Sequence, residues 1–186
     1  MTNIENSLFS SYQKGGDLYD EIFDDTGNVK DVYQKLFSLY GEHSIEDYVK
    51  LNTKAKSSFF NQGITFQVYS DKETKEKIFP FDLFPRIIDP TEWDIIERGS
   101  IQRSKALNLF LWDIYHEKKI IKQGIIPMDL ISSSVNYLHQ MIGVDPPGGI
   151  YNHISGTDVI KHKDGKYYVL EDNIRCPSGV SYVICN

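Results

Sequence analysis

The sequence predicts an α+β fold, with helices packed on a mainly antiparallel sheet that ends in a β-hairpin. Three observations point there. Apolar residues recur at helical spacing over 30–63 and again over 89–114. Between these stretches Ile64, Phe66 and Val68 alternate with Thr65, Gln67 and Tyr69, the period of a strand. Near the C-terminal end Asp164-Gly165 separates two strand-like runs, a strong signal for a tight turn.

Each element follows in order. Residues 1–29 are polar and rich in Gly and Asp, and read as a surface arm anchored by Tyr19, Ile22 and Phe23. A helix is expected over about 30–40, with Val32, Leu36, Phe37, Leu39 and Tyr40 as its apolar stripe. A second starts at Ser44, with Asp47 three residues on completing an N-cap signature. Its stripe is Tyr48, Leu51, Ala55 and Phe59, and Gly63 is its stop. After the strand at 64–69, the charged run Asp71–Lys77 reads as a solvated turn. A further strand is expected around Lys77–Phe81, confined to an edge or broken early by Pro80 and Pro85. Asp89-Pro90-Thr91-Glu92 is a strong helix start. That helix carries Trp93, Ile96, Ile101, Leu107, Phe110, Leu111 and Ile114, with Gly99-Ser100 as a point of bending. Short helices around 128–141, the breaker Val144–Gly149, the hairpin and an irregular tail complete the chain.

Composition narrows the function classes. The chain has 186 residues, with 20 Lys and Arg against 26 Asp and Glu, and a net charge of −6. That length suits a globular domain with a sizeable core. The imbalance sits in residues 1–50, which hold ten acids and four bases. An acidic balance argues against nucleic acid or an anionic membrane as the partner, because both reward clustered Lys and Arg. No basic segment followed by an apolar run marks a signal peptide, and no stretch is long and apolar enough for a membrane span. Cys176 and Cys185 are too few for a disulfide framework. A cytoplasmic protein with reduced thiols is expected.

The hairpin carries the chemistry. A turn centred on Asp164-Gly165 pairs Lys163 with Lys166, and the same register sets Asp158 opposite Glu171. Asn173 then shares the Glu171 face, opposite Gly156, which has no side chain to crowd the site. The register also pairs Ile160 with Val169 and Val159 with Leu170, so the hairpin reads as an internal part of a larger sheet. Directly opposed residues have Cβ atoms about 4.5–5.5 Å apart, where two carboxylates repel unless a cation lies between them. Oxygen-only ligation favours Mg²⁺ or Mn²⁺ over zinc. The plainer alternative is a surface hairpin whose acids are simply solvated.

The segment DVIKHKDGKYYVLEDN resembles the metal-binding strands of ATP-grasp enzymes, in which an Asp on one strand and a Glu-x-Asn on the next hold Mg-ATP. Here these are Asp158 and Glu171-Asp172-Asn173. Together with IRCPSGVSYV, NQGITFQVYSD (61–71), IFPFDLFPRII (78–88) and PPGGIY (146–151), it is similar to the circularly permuted ATP-grasp family related to glutathionylspermidine synthase-like ligases. The resemblance runs from about Tyr19 onward. It implies a partial ATP-grasp-like domain over 30–186, following the arm at 1–29.

The resemblance implies a ligase. ATP phosphorylates a small carboxylate or peptide-like substrate, and an amine attacks the acyl phosphate to form an amide. Asp158, Glu171 and Asn173 would hold Mg²⁺ or Mn²⁺, which neutralises phosphate oxygens during transfer. Arg175 would stabilise the transferring phosphate or the acyl phosphate, or else form a structural ion pair with a nearby acid. Arg86 is a candidate clamp for the substrate carboxylate, unless it pairs with Asp82. The Pro177-Ser178-Gly179 turn could offer N–H groups to an anion, Gly148-Gly149 could admit a ligand close to the backbone, and His153 could carry a proton.

An ATP-grasp site lies between two subdomains, and the one that grips the nucleotide should follow the metal strands. Only thirteen residues follow Asn173, and no Gly-rich phosphate loop with its Lys occurs in the chain. The sequence therefore reads as the N-terminal portion of a longer ligase, with the nucleotide-gripping half missing. The alternatives are a truncated non-catalytic binding module and a subunit of a split enzyme. Metal-assisted hydrolysis is weaker, since His153 is the only evident base.

Overall fold

The computed structural model describes residues 8–13, 15–16, 18–69, 74–78 and 80–185. The chain gathers into two compact units, Met1–Asp89 and Pro90–Asn186. Each contains one two-stranded antiparallel sheet beside helices. The mixed helix-and-antiparallel-sheet architecture is as expected. Among the described residues, however, the two hairpins stand as separate sheets rather than parts of a larger one.

In the first unit, α1 spans Asp31–Tyr40 and α2 spans Ile45–Asn61. The Ser44 side chain and Asp47 form a reciprocal capping box at the start of α2. At its end Gly63 takes φ +69°, where a side chain would be strained, and Ile64 N–H donates back to Phe59 O. The packing face of α1 keeps Phe37 and Tyr40 of the expected stripe but centres on Tyr33 in place of Val32 and Leu39. Val32 and Leu39 are exposed, and Tyr33 is 3% exposed, the most buried apolar residue among the described residues. Tyr33, Phe37 and Tyr40 fall at i, i+4 and i+7, one face of the helix. Phe84 fills the groove beside them, its ring 6.2 Å from Tyr33 and 5.3 Å from Tyr40. Phe9 stacks on Phe37 at 4.7 Å. The three tyrosines and phenylalanines won this face because their rings bury more area than Val or Leu, and because each phenol finds a partner. The Tyr33 hydroxyl accepts from Ile87 N–H at 2.9 Å, and the Tyr40 hydroxyl donates to Leu83 O.

Asp20 organises the arm. It is 9% exposed and accepts from the Ile22 and Phe23 N–H groups and from the Tyr12 hydroxyl at 2.8–2.9 Å. Burial pushes this carboxyl up, but those three hydrogen bonds and nearby Lys30 together hold it below the usual carboxylate value. Strands β1 (Thr65–Tyr69) and β2 (Thr74–Ile78) pair from Thr65–Ile78 to Tyr69–Thr74. Thus β2 begins inside the charged run read as a turn and ends where the expected strand began. Pro80 allows no ladder hydrogen bond just beyond it. Asp71–Glu73 of that run lie outside the described residues.

The second unit is built on α3, Pro90–Tyr115, which runs unbroken through Gly99-Ser100. The chain then forms α4 (Lys119–Lys122), α5 (Met128–Ser132), β3 (Gly156–Lys161), β4 (Tyr167–Asn173) and α6 (Val180–Cys185), with 3-10 turns at His139–Met141 and Pro147–Gly149. The tail expected to be irregular is thus helical in part. Asp113 starts α4 by accepting from Lys119 and Ile120 N–H at 2.8 and 2.9 Å. The core is Ile114, Tyr115 and Tyr137, flanked by Phe110, Leu111, Ile120, Ile131, Met141 and Tyr151. Tyr115 stacks between Tyr137 and Tyr151, at 5.1 and 5.7 Å. The C-terminal half of α3 therefore supplies the core. Trp93 and Ile101, placed on its apolar stripe by sequence, are about half exposed.

Candidate functional site

The hairpin β3–β4 sets Asp158 opposite Glu171 and Gly156 opposite Asn173, the pairings the sequence predicts. The route there differs. Between Val159 and Lys161 the ladder pairs Val159–Val169, Ile160–Tyr168 and Lys161–Tyr167, one residue out of the expected register. Neither Ile160–Val169 nor Val159–Leu170 forms. The turn is a three-residue loop, Lys163-Asp164-Gly165. His162 N–H donates to Lys166 O, and Gly165 sits at φ +76°. A register shift next to Asp158/Val159, a β-bulge with Leu170 as the extra residue, restores the frame. The odd loop and the bulge cancel, so the three oxygen-bearing side chains share a face as expected.

That face is open. Asp158, Glu171 and Asn173 are exposed, as are Ile160 and Tyr168. Among the described residues the Asp158 carboxylate makes no hydrogen bond or ion pair. Asn173 Nδ2 donates to Glu171 Oε1 at 3.1 Å, which orients the amide and leaves its Oδ1 free of that bond. Two facing carboxylates and an amide oxygen form an all-oxygen set that suits a hard divalent cation. Among the described residues no group of three or more His, Cys, Asp or Glu side chains converges for a metal, so this pair with Asn173 is a sparse donor set.

The opposite face of the hairpin is fastened to α3 by charge. Asp172, the middle residue of Glu-x-Asn, accepts both Arg103 Nε and a terminal Arg103 nitrogen, and also Thr157 Oγ1 at 3.0 Å. Arg103 draws the Asp172 carboxyl below its usual value, and Asp172 raises the guanidinium in turn. Farther along, Glu92 binds the Lys161 ammonium and accepts from the Tyr167 hydroxyl at 3.0 Å. Sequence reasoning passed over Arg103 and Asp172. Alternation along β4 was the available signal: the residue between Glu171 and Asn173 must face the helix, where a carboxylate needs a cation.

Gly156 has a structural reason beyond the one expected. A Cβ there would lie 2.9 Å from Pro177 Cβ and 3.8 Å from Asn173 Cβ. Its bare backbone lets the Cys176–Ser178 turn fold over the end of the hairpin. Arg175, just before that turn, is exposed and donates to Asn136 Oδ1 at 3.0 Å, a neutral partner instead of an acid. Arg86 belongs to the first unit, where its Nε meets Glu21 at 2.8 Å; Asp82 instead accepts from Tyr48 and the Phe84 N–H. Among the described residues no helix is long and apolar enough to cross a membrane.

Comparison with known proteins places these elements. Residues 85–186, the stretch holding α3 and the hairpin, match the family described as circularly permuted ATP-grasp type 2. An uncharacterised protein of Synechocystis sp. is 44% identical over 92% of this chain and 36% of its own length. One from Mycobacterium leprae is 42% identical over 96% of this chain and 32% of its own length. A Frankia alni protein named "Putative glutamate--cysteine ligase 2-3" is 33% identical over 95% of this chain and 20% of its own length. The chain spans about a third of the first two relatives and a fifth of the third. With a match covering more than half of its residues, the chain belongs to the circularly permuted ATP-grasp type 2 family.

Proposed function

We propose that these 186 residues supply the metal- and substrate-positioning part of an ATP-dependent carboxylate–amine ligase of the glutathionylspermidine synthase-like kind. The observation that carries this reading is the open face on which Asp158 stands opposite Glu171 with Asn173 beside it. Bound Mg²⁺ or Mn²⁺ would neutralise the triphosphate oxygens and so favour phosphoryl transfer to a carboxylate. Asp158 and Glu171 would hold the cation from adjacent strands, and Asn173 would add a neutral oxygen while steering Glu171 through its Nδ2. The Arg103–Asp172 pair fastens the strand from behind and, without touching the cation itself, would keep the proposed ligands in register.

Arg175, two residues beyond β4, would meet anionic oxygen presented by that cation, a role supported by its neutral partner Asn136, which leaves its charge uncompensated. Arg86 would hold the substrate carboxylate once released from Glu21. The nucleotide-gripping part would come from polypeptide outside these residues. The family resemblance and the Frankia relative's name support ligation. The resulting enzyme is expected in the cytoplasm.

Electron paramagnetic resonance of free Mn²⁺ tests this directly. Titrated with the chain, the free-ion signal should fall, and Asp158→Asn or Glu171→Gln should each weaken that loss at least tenfold. Equal Mn²⁺ binding by the wild-type chain and both variants would refute the assignment.

A further inference from the structure

A pocket of about 700 Å³ lies in the second unit, lined by none of Asp158, Glu171 and Asn173. One wall is a face of α3: Ser104, Lys105, Asn108, Leu109 and Trp112, at i, i+1, i+4, i+5 and i+8. The other is formed by Gly148, Gly149, Ile150, Asn152 and His153.

This pocket is built before any ligand arrives. Asn108 Oδ1 accepts from both Tyr151 N–H and Asn152 N–H, at 2.8 and 3.0 Å, and its Nδ2 donates to Ser104 O at 3.0 Å. One amide thus ties the facing segment to the helix. Tyr151 is further fixed by its hydroxyl bond to Val144 O at 2.9 Å and by stacking on Tyr115. His116 covers one face of the Trp112 indole, with ring centroids 4.0 Å apart and 7° between planes. Gly148 and Gly149 take φ +66° and +70°, a conformation that keeps side chains off this rim. Little ordering therefore opposes binding.

Its chemistry is one-sided. Leu109 is 69% exposed and Ile150 45% exposed, so both leave apolar surface accessible at the pocket. Lys105 is the only formally charged lining residue, and no acid lines the pocket. Among the described residues neither the Lys105 ammonium nor the His153 imidazole makes a hydrogen bond or ion pair. A concave apolar site with one free cation suits an amphipathic anion.

We propose that this pocket binds a small organic monoanion with a flat apolar body, the anion paired with Lys105 and the body laid against Leu109, Trp112 and Ile150. The site is separate from the metal assignment, and its test uses neither metal nor nucleotide. Two dyes share an anilinonaphthalene body: 8-anilinonaphthalene-1-sulfonate carries an anion, and N-phenyl-1-naphthylamine does not. In a Trp93→Phe background Trp112 is the sole indole. The sulfonate dye should bind at one saturable site and quench Trp112 by energy transfer. Lys105→Glu should weaken it about tenfold while leaving the neutral dye unchanged, and Leu109→Asp should weaken both. Both side chains are exposed, and an unchanged urea midpoint confirms that the variants fold. Equal sulfonate affinity in the Lys105→Glu chain, a parallel loss of the neutral dye, or loss caused instead by Leu170→Glu on the hairpin would overturn the proposal.

Discussion

Replacing Gly156 by Ala probes the packing that holds the candidate site together. The added Cβ would sit 2.9 Å from Pro177 Cβ, where ordinary contact begins near 3.4 Å. Pro177 belongs to a closed ring on a turn and cannot swing aside like the end of a long side chain. The turn must instead retreat by about 0.5–1 Å, the distance to a carbon–carbon optimum of about 3.5–4.0 Å. Overpacking of this kind costs about 1–3 kcal/mol. Gly156 is not among the glycines with positive φ, so Ala also restricts the unfolded chain and returns about 0.4–1 kcal/mol. A net destabilisation of about 0–2.6 kcal/mol, centred on about 1.3, is expected as the difference of these two effects. The chain's two tryptophans, Trp93 and Trp112, both lie in the second unit. Urea unfolding followed by tryptophan emission therefore reports on the unit that holds the hairpin. Pro177→Gly removes the clashing atom, so in that background Gly156→Ala should cost at least about 1 kcal/mol less. Strictly additive single and double variants would show that Gly156 and Pro177 do not couple, and the reasoning would fail.

Other outcomes follow from the same geometry. Asp172→Asn removes the charge that Arg103 binds, and should lower the tryptophan-detected urea midpoint while Asp172→Glu restores part of it; an unchanged midpoint would show that the lock contributes nothing. In the first unit Asp20→Asn should destabilise by about 1–2 kcal/mol, because the lost charge weakens three hydrogen bonds. The Asp20 carboxyl is held below its ordinary value, so its contribution is complete above the unfolded pKa of about 3.9 and disappears as pH falls through the lower folded value. Amide resonances of Ile22 and Phe23 should report that loss in acid, and resonances that stay in place in Asp20→Asn would contradict it.

Local signals in the sequence were reliable where a single residue type decides geometry. The Ser44 capping box, Pro90 at the head of α3 and Gly165 in the hairpin loop all form as read. Tertiary choices were less visible. On α1 the sequence showed Phe37 and Tyr40 but not Tyr33, because Phe84, whose ring packs against both Tyr33 and Tyr40, lies 44 residues beyond Tyr40. The hairpin shows a subtler limit. Asp164-Gly165 announces a turn but does not distinguish a two-residue from a three-residue loop, and nothing local marks Leu170 as a bulge. The Asp158–Glu171 pairing was legible only because those two departures offset each other. Asn108 and Arg103 carried no local signal, since their partners lie 43 and 69 residues away.

The site itself is tested most directly by locating a paramagnetic cation. With Mn²⁺ added in small amounts to ¹⁵N-labelled chain, line broadening should centre on the amides of Asp158, Glu171 and Asn173 and disappear in Asp158→Asn. Broadening centred instead on the acidic loops at Asp24 or Asp164, with the β3–β4 amides sharp, would contradict the account.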